Sequence, residues 1–327
     1  MNFATYIKEI GRGQDGSRDL SEQDAYQLYS AMLDSGVPPL ELGAILIALR
    51  VKGESLGEFL GFYQAIDERL YRLRAPSGKP RPVVFPSYNG ARHQANLLPL
   101  LALLLRRFGI PVLIHGLLAG GGRVTTAYVL RELGIMPCAH LAQAQAVLEE
   151  EGLAFVPTGV LAPAMATLLS LREQLGVRNS AHSLVKLLDP FGGEGLRVVS
   201  VTHPAYLARM REFFEATGAN ALLLRGTEGE PFANPKRRPQ LESFRNGLSM
   251  ALFEAEAGPV KTLPTLPEAI DAGTTAAWIR RALEGEVPVP LPIVNQLACL
   301  LYCSGYTEDM NQAKAIVAME TNSLAGA

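Results

Sequence analysis

The stretch Ala75-Pro76-Ser77-Gly78-Lys79-Pro80-Arg81-Pro82 constrains the architecture of this chain more than any other. Each proline removes a backbone donor and pushes its predecessor out of the helical region, so neither a helix nor a central strand runs through it. The two sides of the stretch also differ in hydrophobic period. Upstream, Ser21-Glu22-Gln23-Asp24 has the form of a capping box, and Ala25, Leu28, Tyr29, Met32 and Leu33 follow at helical spacing until Gly36. Residues 40–51 and 56–70 repeat the pattern on either side of Gly53 and Ser55. This predicts a small N-terminal helical domain over 1–74, joined by helices from about 160–188.

Downstream, short β runs alternate with helices: a strand at 83–85, a helix over about 96–108, a strand at 112–114 and a helix over 125–133. A strand at 198–201, a helix over 206–217 and a strand at 221–224 follow. Strand, helix, strand in succession predicts a larger α/β domain over 75–327 with a central, largely parallel sheet. In such sheets ligands bind in the crevice beyond the carboxyl ends of the strands. The loops 86–95, 115–123 and 225–238 are expected to line that crevice, and each contains arginine.

Composition removes several classes. The most apolar run, 97–105, contains Pro99 and stops at Arg106-Arg107. That is short of the roughly 20 residues a bilayer span needs, so no membrane partner is expected. The first twelve residues include Lys8, Glu9 and Arg12 and have no continuous apolar core, which argues against a secretory signal and for the cytoplasm. Three cysteines, Cys138, Cys299 and Cys303, read as buried thiols in a reducing compartment rather than a disulfide framework or a metal site. No metal and no cofactor are expected.

Charge is sorted along the chain. The net charge is −2, yet residues 69–132 hold ten basic residues against one acid, Glu132. Sorted charge focuses a field that draws in polyanions; the competing reading is a solvated basic face balanced by acidic neighbours in the fold. Arg92 and Arg123 stand in loops with no helix end to complement, which favours phosphate contact. Arg106 and Arg107 end a helix, where cations complement the macrodipole in any case. Lys236-Arg237-Arg238, between Pro235 and Pro239, cannot form a helix face and reads as an exposed basic loop, the strongest candidate for a polyanion contact. Tyr88 is the aromatic of these loops placed to stack on a base. The motifs of sequence-specific readers are absent, so binding is expected to run through phosphates.

The string Leu46-Ile47-Ala48-Leu49-Arg50-Val51-Lys52-Gly53-Glu54 and the segment from Phe108 to Gly116 resemble the anthranilate phosphoribosyltransferase family, with a match that covers nearly the whole chain. The resemblance implies that family's fold, of the nucleoside phosphorylase and phosphoribosyltransferase type. It does not bring the family's ligand set. Where the family's phosphate-cradling loop reads Gly-Thr-Gly-Gly-Asp, this chain has Pro86-Ser87-Tyr88-Asn89-Gly90. The family's lysine before His-Gly is Ile114, the Asn-Arg after it is Leu117-Leu118, and its magnesium-binding Asp-Glu pair falls at Glu230-Pro231. Ser87, Asn89, Gly90, His115, Gly116 and Glu230 are therefore read as a vestigial ligand cleft without a catalytic residue.

Arg172 falls where the family places its anthranilate-binding arginine, and Arg178 lies in Gly176-Val177-Arg178-Asn179-Ser180-Ala181-His182. Either arginine suits a carboxylate or a phosphate, and Asn179 and His182 equally suit a structural role in satisfying loop backbone. That string, with 86–92 and 225–230, resembles a subgroup of the family that has left phosphoribosyl chemistry and binds nucleic acid. The resemblance implies a homodimer that binds DNA, with RNA as the other option, with little regard to sequence. The alternative is a glycosyl or phosphoribosyl transferase with another substrate, for which Arg172, His115-Gly116 and Glu230 speak. The apolar faces at 25–33 and 40–50 suit a dimer interface or intramolecular core.

Overall fold

The capping signals upstream of the proline-rich stretch start helices. In the computed structural model, which describes residues 2–13, 16–260 and 264–321, the Ser21 side chain accepts from the backbone N–H of Asp24 and opens the helix Glu22–Leu33. Ser55 and Glu58 cap each other's backbone at the start of the helix Leu56–Asp67. These helices belong to one compact unit, Met1–Tyr71 with Thr158–Leu188, while Arg72–Pro157 and Asp189–Ala327 form a second.

In the first unit, Ala25, Leu28, Tyr29, Met32 and Leu33 are buried, as are Phe59, Phe62, Ala65 and Ile66. The Tyr29 and Phe62 rings stack 4.7 Å apart. The apolar face at 25–33 is thus spent on intramolecular core and is not a free dimer surface, which settles one of the two options left by the periodicity. The two helices cross at Gly61, where an added methyl would collide with the carbonyl of Glu22 and lie 2.8 Å from the backbone nitrogen of Tyr26. The helix Pro39–Lys52 buries Ile45, Leu46 and Leu49 and leaves Leu40, Ile47 and Val51 exposed. Glu58, fully buried, accepts from the backbone of Leu20 and Ser55 at 3.0 and 2.8 Å and from Lys52 Nζ at 2.7 Å.

In the second unit the strands are β1 (Val83–Ser87), β2 (Val112–Gly116), β3 (Leu153–Pro157), β4 (Leu196–Ser200), β5 (Ala221–Leu224), β6 (Gly226–Thr227), β7 (Glu230–Ala233), β8 (Leu241–Arg245) and β9 (Leu248–Phe253). Seven of them form one sheet in the order β3-β2-β1-β4-β5-β8-β9, and β6 with β7 forms a separate hairpin. The first five are parallel to one another, whereas β8 and β9 are antiparallel. Parallel strands are covered on both faces, which explains why β1, β2 and β4 are buried at every position. The helix Leu98–Arg107 buries every residue from Leu98 to Leu105 in the core, beside the helices Thr126–Glu132, Ala272–Leu283 and Leu291–Cys303.

The β8–β9 hairpin lies outside the periodic runs of the sequence. Its signal is the pair Asn246-Gly247, whose φ of +53° and +78° fit the turn that matches strand twist. Cys138 and Cys299 are buried, and burial pushes the Cys303 thiol up to about 12.

The Gly61 crossing carries a direct test. We expect Gly61→Ala to force the two helices apart and cost about 1–3 kcal/mol of stability, read as a lower denaturant midpoint. A midpoint equal to that of the wild type would show that the helices do not meet at this glycine.

Candidate functional site at the carboxyl ends of the strands

β1 and β2 end level, with Ser87 beside Gly116. The approach is so close that a methyl on Gly116 would strike the Ser87 carbonyl. Into this end of the sheet the β6–β7 hairpin inserts Glu230, whose side chain is fully buried. One carboxylate oxygen accepts from the backbone N–H groups of Asn89 and Gly90 at 2.7 and 2.8 Å. The other accepts from the Ser87 hydroxyl at 2.6 Å and lies 3.4 Å from Thr126 Oγ1.

The hairpin reaches this depth because its turn is tight. Glu228 and Gly229 adopt φ of +52° and +89°, and a methyl on Gly229 would strike the Asn89 side chain. Ser200, at the end of β4, donates to the Gly229 carbonyl at 2.6 Å. Glu228 turns the other way, and its carboxylate accepts from the backbone N–H groups of Arg92, His93 and Gln94 at 3.1, 2.8 and 2.9 Å. Five N–H groups of the β1 loop thus converge on two carboxylates of the same chain. Convergent backbone N–H groups make an anion-binding nest. Here the anions are built in, and each charge-assisted bond contributes roughly 1.5–3 kcal/mol.

Both Glu230 oxygens are engaged by Ser87, Asn89 and Gly90, leaving no donor set for a magnesium ion. Among the described residues no cluster of three His, Cys, Asp or Glu side chains could hold a metal. His115 is fully buried, and burial pushes its pKa down to about 3, so the ring is neutral. Its Nδ1 lies 2.7 Å from the Tyr88 hydroxyl. Tyr88 is itself buried. That corrects its expected role, since a ring packed inside the loop offers no face to a base.

The basic side chains divide. Arg92 is exposed at the rim, and Arg123 is part-exposed with its guanidinium 3.9 Å from Glu228. Around a cavity of about 300 Å³ beyond β5 stand Arg211, Arg225, Arg237 and Arg238 with Gln240 and Glu242. Lys236, Arg237 and Arg225 are exposed, although the Arg237 guanidinium also donates to the Glu256 and Ala257 carbonyls at 3.3 and 3.5 Å. Arg238 is a correction to the exposed basic loop: it donates to the Glu254 carbonyl at 3.1 Å, lies 3.6 Å from Glu256 and covers the Phe253 ring at 5.4 Å. Arg211, absent from the sequence reading, faces this cavity from the helix Pro204–Thr217 and pairs with Glu242 at 2.7 Å. Its signal is weak, one apolar neighbour at Leu207, a helical turn away.

Arg106 and Arg107 are not part of this rim. The helix Leu98–Arg107 connects two parallel strands, so its last turn lies at their amino ends. Arg106 packs there near Gly152, and Arg107 donates to the Leu283 carbonyl at 2.5 Å. Other members of the basic run are engaged internally: Arg69 holds Asp34 at 2.7 Å, and Arg72 donates to the Asp189 carbonyl at 2.8 Å. The run that is continuous in sequence is therefore not one surface.

Arg172 and Arg178 belong to the helical unit, where Arg172 is exposed. Asn179 bonds the Leu168 carbonyl at 2.9 Å and the Ala181 N–H at 3.0 Å, and the Arg178 carbonyl accepts from Arg50 at 2.7 Å. Burial, then the charges of Arg178 and Arg172, push the His182 pKa down to about 4.

Residues 4–70 match the model described as "Glycosyl transferase family, helical bundle domain". The chain is 46% identical over 318 residues to the uncharacterized protein YbiB of Escherichia coli strain K12, covering 97% of this chain and 99% of that one. It is 30% identical over 302 residues to anthranilate phosphoribosyltransferase of Thermus thermophilus, covering 91% and 89% of the two chains. A crystal structure of the Thermus thermophilus enzyme superposes with a TM-score of 0.77 at 26% identity, over 99% of this chain and 95% of that one. The enzyme from Saccharomyces cerevisiae, solved with PRPP and Mg, shares the fold at a TM-score of 0.70 and 14% identity, covering 98% and 93% of the two chains.

Two substitutions separate the charge of Glu230 from its shape. Glu230→Ala strands two backbone N–H groups and leaves the Ser87 hydroxyl only Thr126 Oγ1 at 2.8 Å, and we expect a loss of about 3–5 kcal/mol. Glu230→Gln keeps an acceptor toward Asn89 and Gly90, and its amide can donate to a rotated Ser87 hydroxyl, so we expect a smaller loss. Equal denaturant midpoints for Glu230→Ala and the wild type would remove the carboxylate from its structural role.

Proposed function

The chain belongs to the anthranilate phosphoribosyltransferase-like family, and from that premise we propose that it is a nucleic-acid-binding protein of low sequence preference rather than a phosphoribosyl transferase. One observation carries the proposal. The backbone donors of the β1 loop, which would close on a diphosphate, are already held by Glu228 and Glu230. A diphosphate would have to displace two carboxylates, one of them fully buried.

With the cleft closed from within, the remaining cations of this end point outward. Arg92, Arg225, Lys236 and Arg237 are exposed. Side chains of this kind suit phosphates along a backbone and carry no base information. Burial of Tyr88 and neutralisation of Arg238 by Glu256 narrow the contact set to these four and the half-exposed Arg123. DNA and RNA offer the same phosphate charge, so either polymer fits this reading.

These few cations make a short footprint, and a second copy would double it. The surface proposed for that copy is the exposed stripe of the helix Pro39–Lys52, where Leu40 and Val51 are 83% and 64% exposed. Leu40, Ala44, Ile47 and Val51 recur at helical spacing on it.

We expect random-sequence duplexes to bind in gel-shift titrations, and the double variant Lys236→Glu, Arg237→Glu to weaken unrelated sequences by similar factors. The slope of log affinity against log salt should become shallower by roughly 0.9 per lost contact. Saturable, magnesium-dependent binding of phosphoribosyl diphosphate, with no affinity for DNA or RNA, would overturn the proposal in favour of a transferase.

For the second copy, light scattering of the wild type should give twice the 35.2 kDa of one chain. The variant Ile47→Glu, Val51→Glu should give one chain's mass. A wild-type monomer at micromolar protein would dismiss the dimer.

A further inference from the structure

A second cavity, of about 710 Å³, opens at the opposite ends of the same strands. Leu196 begins β4, Asn220 precedes β5, and Phe244 pairs with Ala221 at the start of β5, with Arg245 next to it at the end of β8, so this cavity lies at the amino ends of the sheet. Its cations are Arg81 and Arg245, and one carboxylate, the exposed Glu308, also lines it. Arg81 is held at the neck of β1 by a backbone bond from its N–H to the Ser304 carbonyl at 2.9 Å.

The two guanidiniums are unlike most arginines of this unit. Arg72, Arg107 and Arg211 each hold a carbonyl or a carboxylate. Among the described residues, neither the Arg81 nor the Arg245 side chain makes a hydrogen bond or an ion pair. Burial, followed by the charge of Arg245, pulls the Arg81 pKa below its usual value, against the weaker pull of Asp189, Cys303 and Glu194. Two like charges facing one half-buried space repel, and an anion placed between them relieves both. Guanidinium forks match the oxygens of a phosphate, and a dianion meets two of them where a carboxylate neutralises only one.

The rest of the wall is different in kind. Phe244, Leu248, Met250 and Tyr302 supply an apolar lining, and Leu248 and Met250 are 76% and 47% exposed on the last strand of the sheet. A volume of about 710 Å³ falls among small-molecule pockets, which span roughly 300–1,000 Å³.

We propose that this cavity binds an organic phosphate monoester of nucleoside monophosphate size. The phosphate sits between Arg81 and Arg245, and the flat body lies against Tyr302 and Met250. The site is separate from the basic rim: it lies at the other end of the strands and shares no residue with it.

The test is calorimetric titration of the full chain with the four ribonucleoside monophosphates and phenyl phosphate, alongside adenosine and inorganic phosphate. We expect at least one monoester to bind with one site per chain, and to bind more tightly than adenosine or inorganic phosphate. Arg245→Gln and Arg81→Gln should each weaken it about tenfold or more. The rim variant Lys236→Glu, Arg237→Glu should leave it unchanged, and Arg245→Gln should leave duplex binding unchanged. Arg245 lies next to an exposed turn, so its variant folds even if Arg81→Gln does not. No saturable binding at millimolar ligand, binding that survives Arg245→Gln, or binding lost in the rim variant would each overturn the site.

Discussion

The buried carboxylate of Glu230 is the interaction on which this end of the α/β unit depends. A charge taken out of water is costly unless hydrogen bonds replace its hydration. Ser87, Asn89 and Gly90 provide them, and all three belong to the end of β1 or the loop after it. The β6–β7 hairpin can bring the carboxylate there only because glycines stand where backbones touch. A methyl at Gly226 would strike Ser200 and the Glu230 carbonyl, and one at Gly229 would strike Asn89. Chain packing and charge satisfaction are thus one requirement at this point. The chemical consequence is that a loop of the kind that receives phosphate oxygens receives the protein's own.

Glu228 extends the same logic to the next three residues of the loop. It also lies 3.9 Å from Arg123 and so weakens the positive field exactly where the sequence concentrates it. What remains of the field is carried by side chains from several separate segments: Arg92 after β1, Arg225 after β5, and Lys236 and Arg237 after β7. On the proposed reading, such a surface meets a backbone of repeated phosphates through charge and spacing and demands no particular base.

The other end of the sheet has a different economy of charge. There Arg107 is tied to the Leu283 carbonyl and Glu320, while Arg81 and Arg245 face a cavity without such partners. The hairpin that brings in Arg245 is antiparallel to β5, which is what carries β8 back to the amino end of the sheet. Polarity of the strands therefore sorts the arginines into two groups. The helical unit has a buried carboxylate of its own, Glu58, bonded to Lys52 and to two backbone groups.

Local chemistry was legible in the sequence. Proline and glycine at 75–82 marked the break in period, Ser21 and Ser55 marked helix starts, and alternation of β runs with helices marked the parallel sheet. These features depend on neighbours a few residues apart. The composition of the loop after β1 was legible too, with Pro86 and Tyr88 leading into it. Its buried partner was not: Glu230 lies 141 residues from Asn89, and no local pattern says that their atoms meet. For the same reason the basic run at 69–132 looked like one surface, although strand direction sends Arg92 and Arg123 to one end of the sheet and Arg81, Arg106 and Arg107 to the other. The sequence by itself determined the periods, the turns and the charges. Only the tertiary structure decided which charges are neutralised and which face an open space, because burial and ion pairing are set by long-range packing that one-dimensional spacing does not encode.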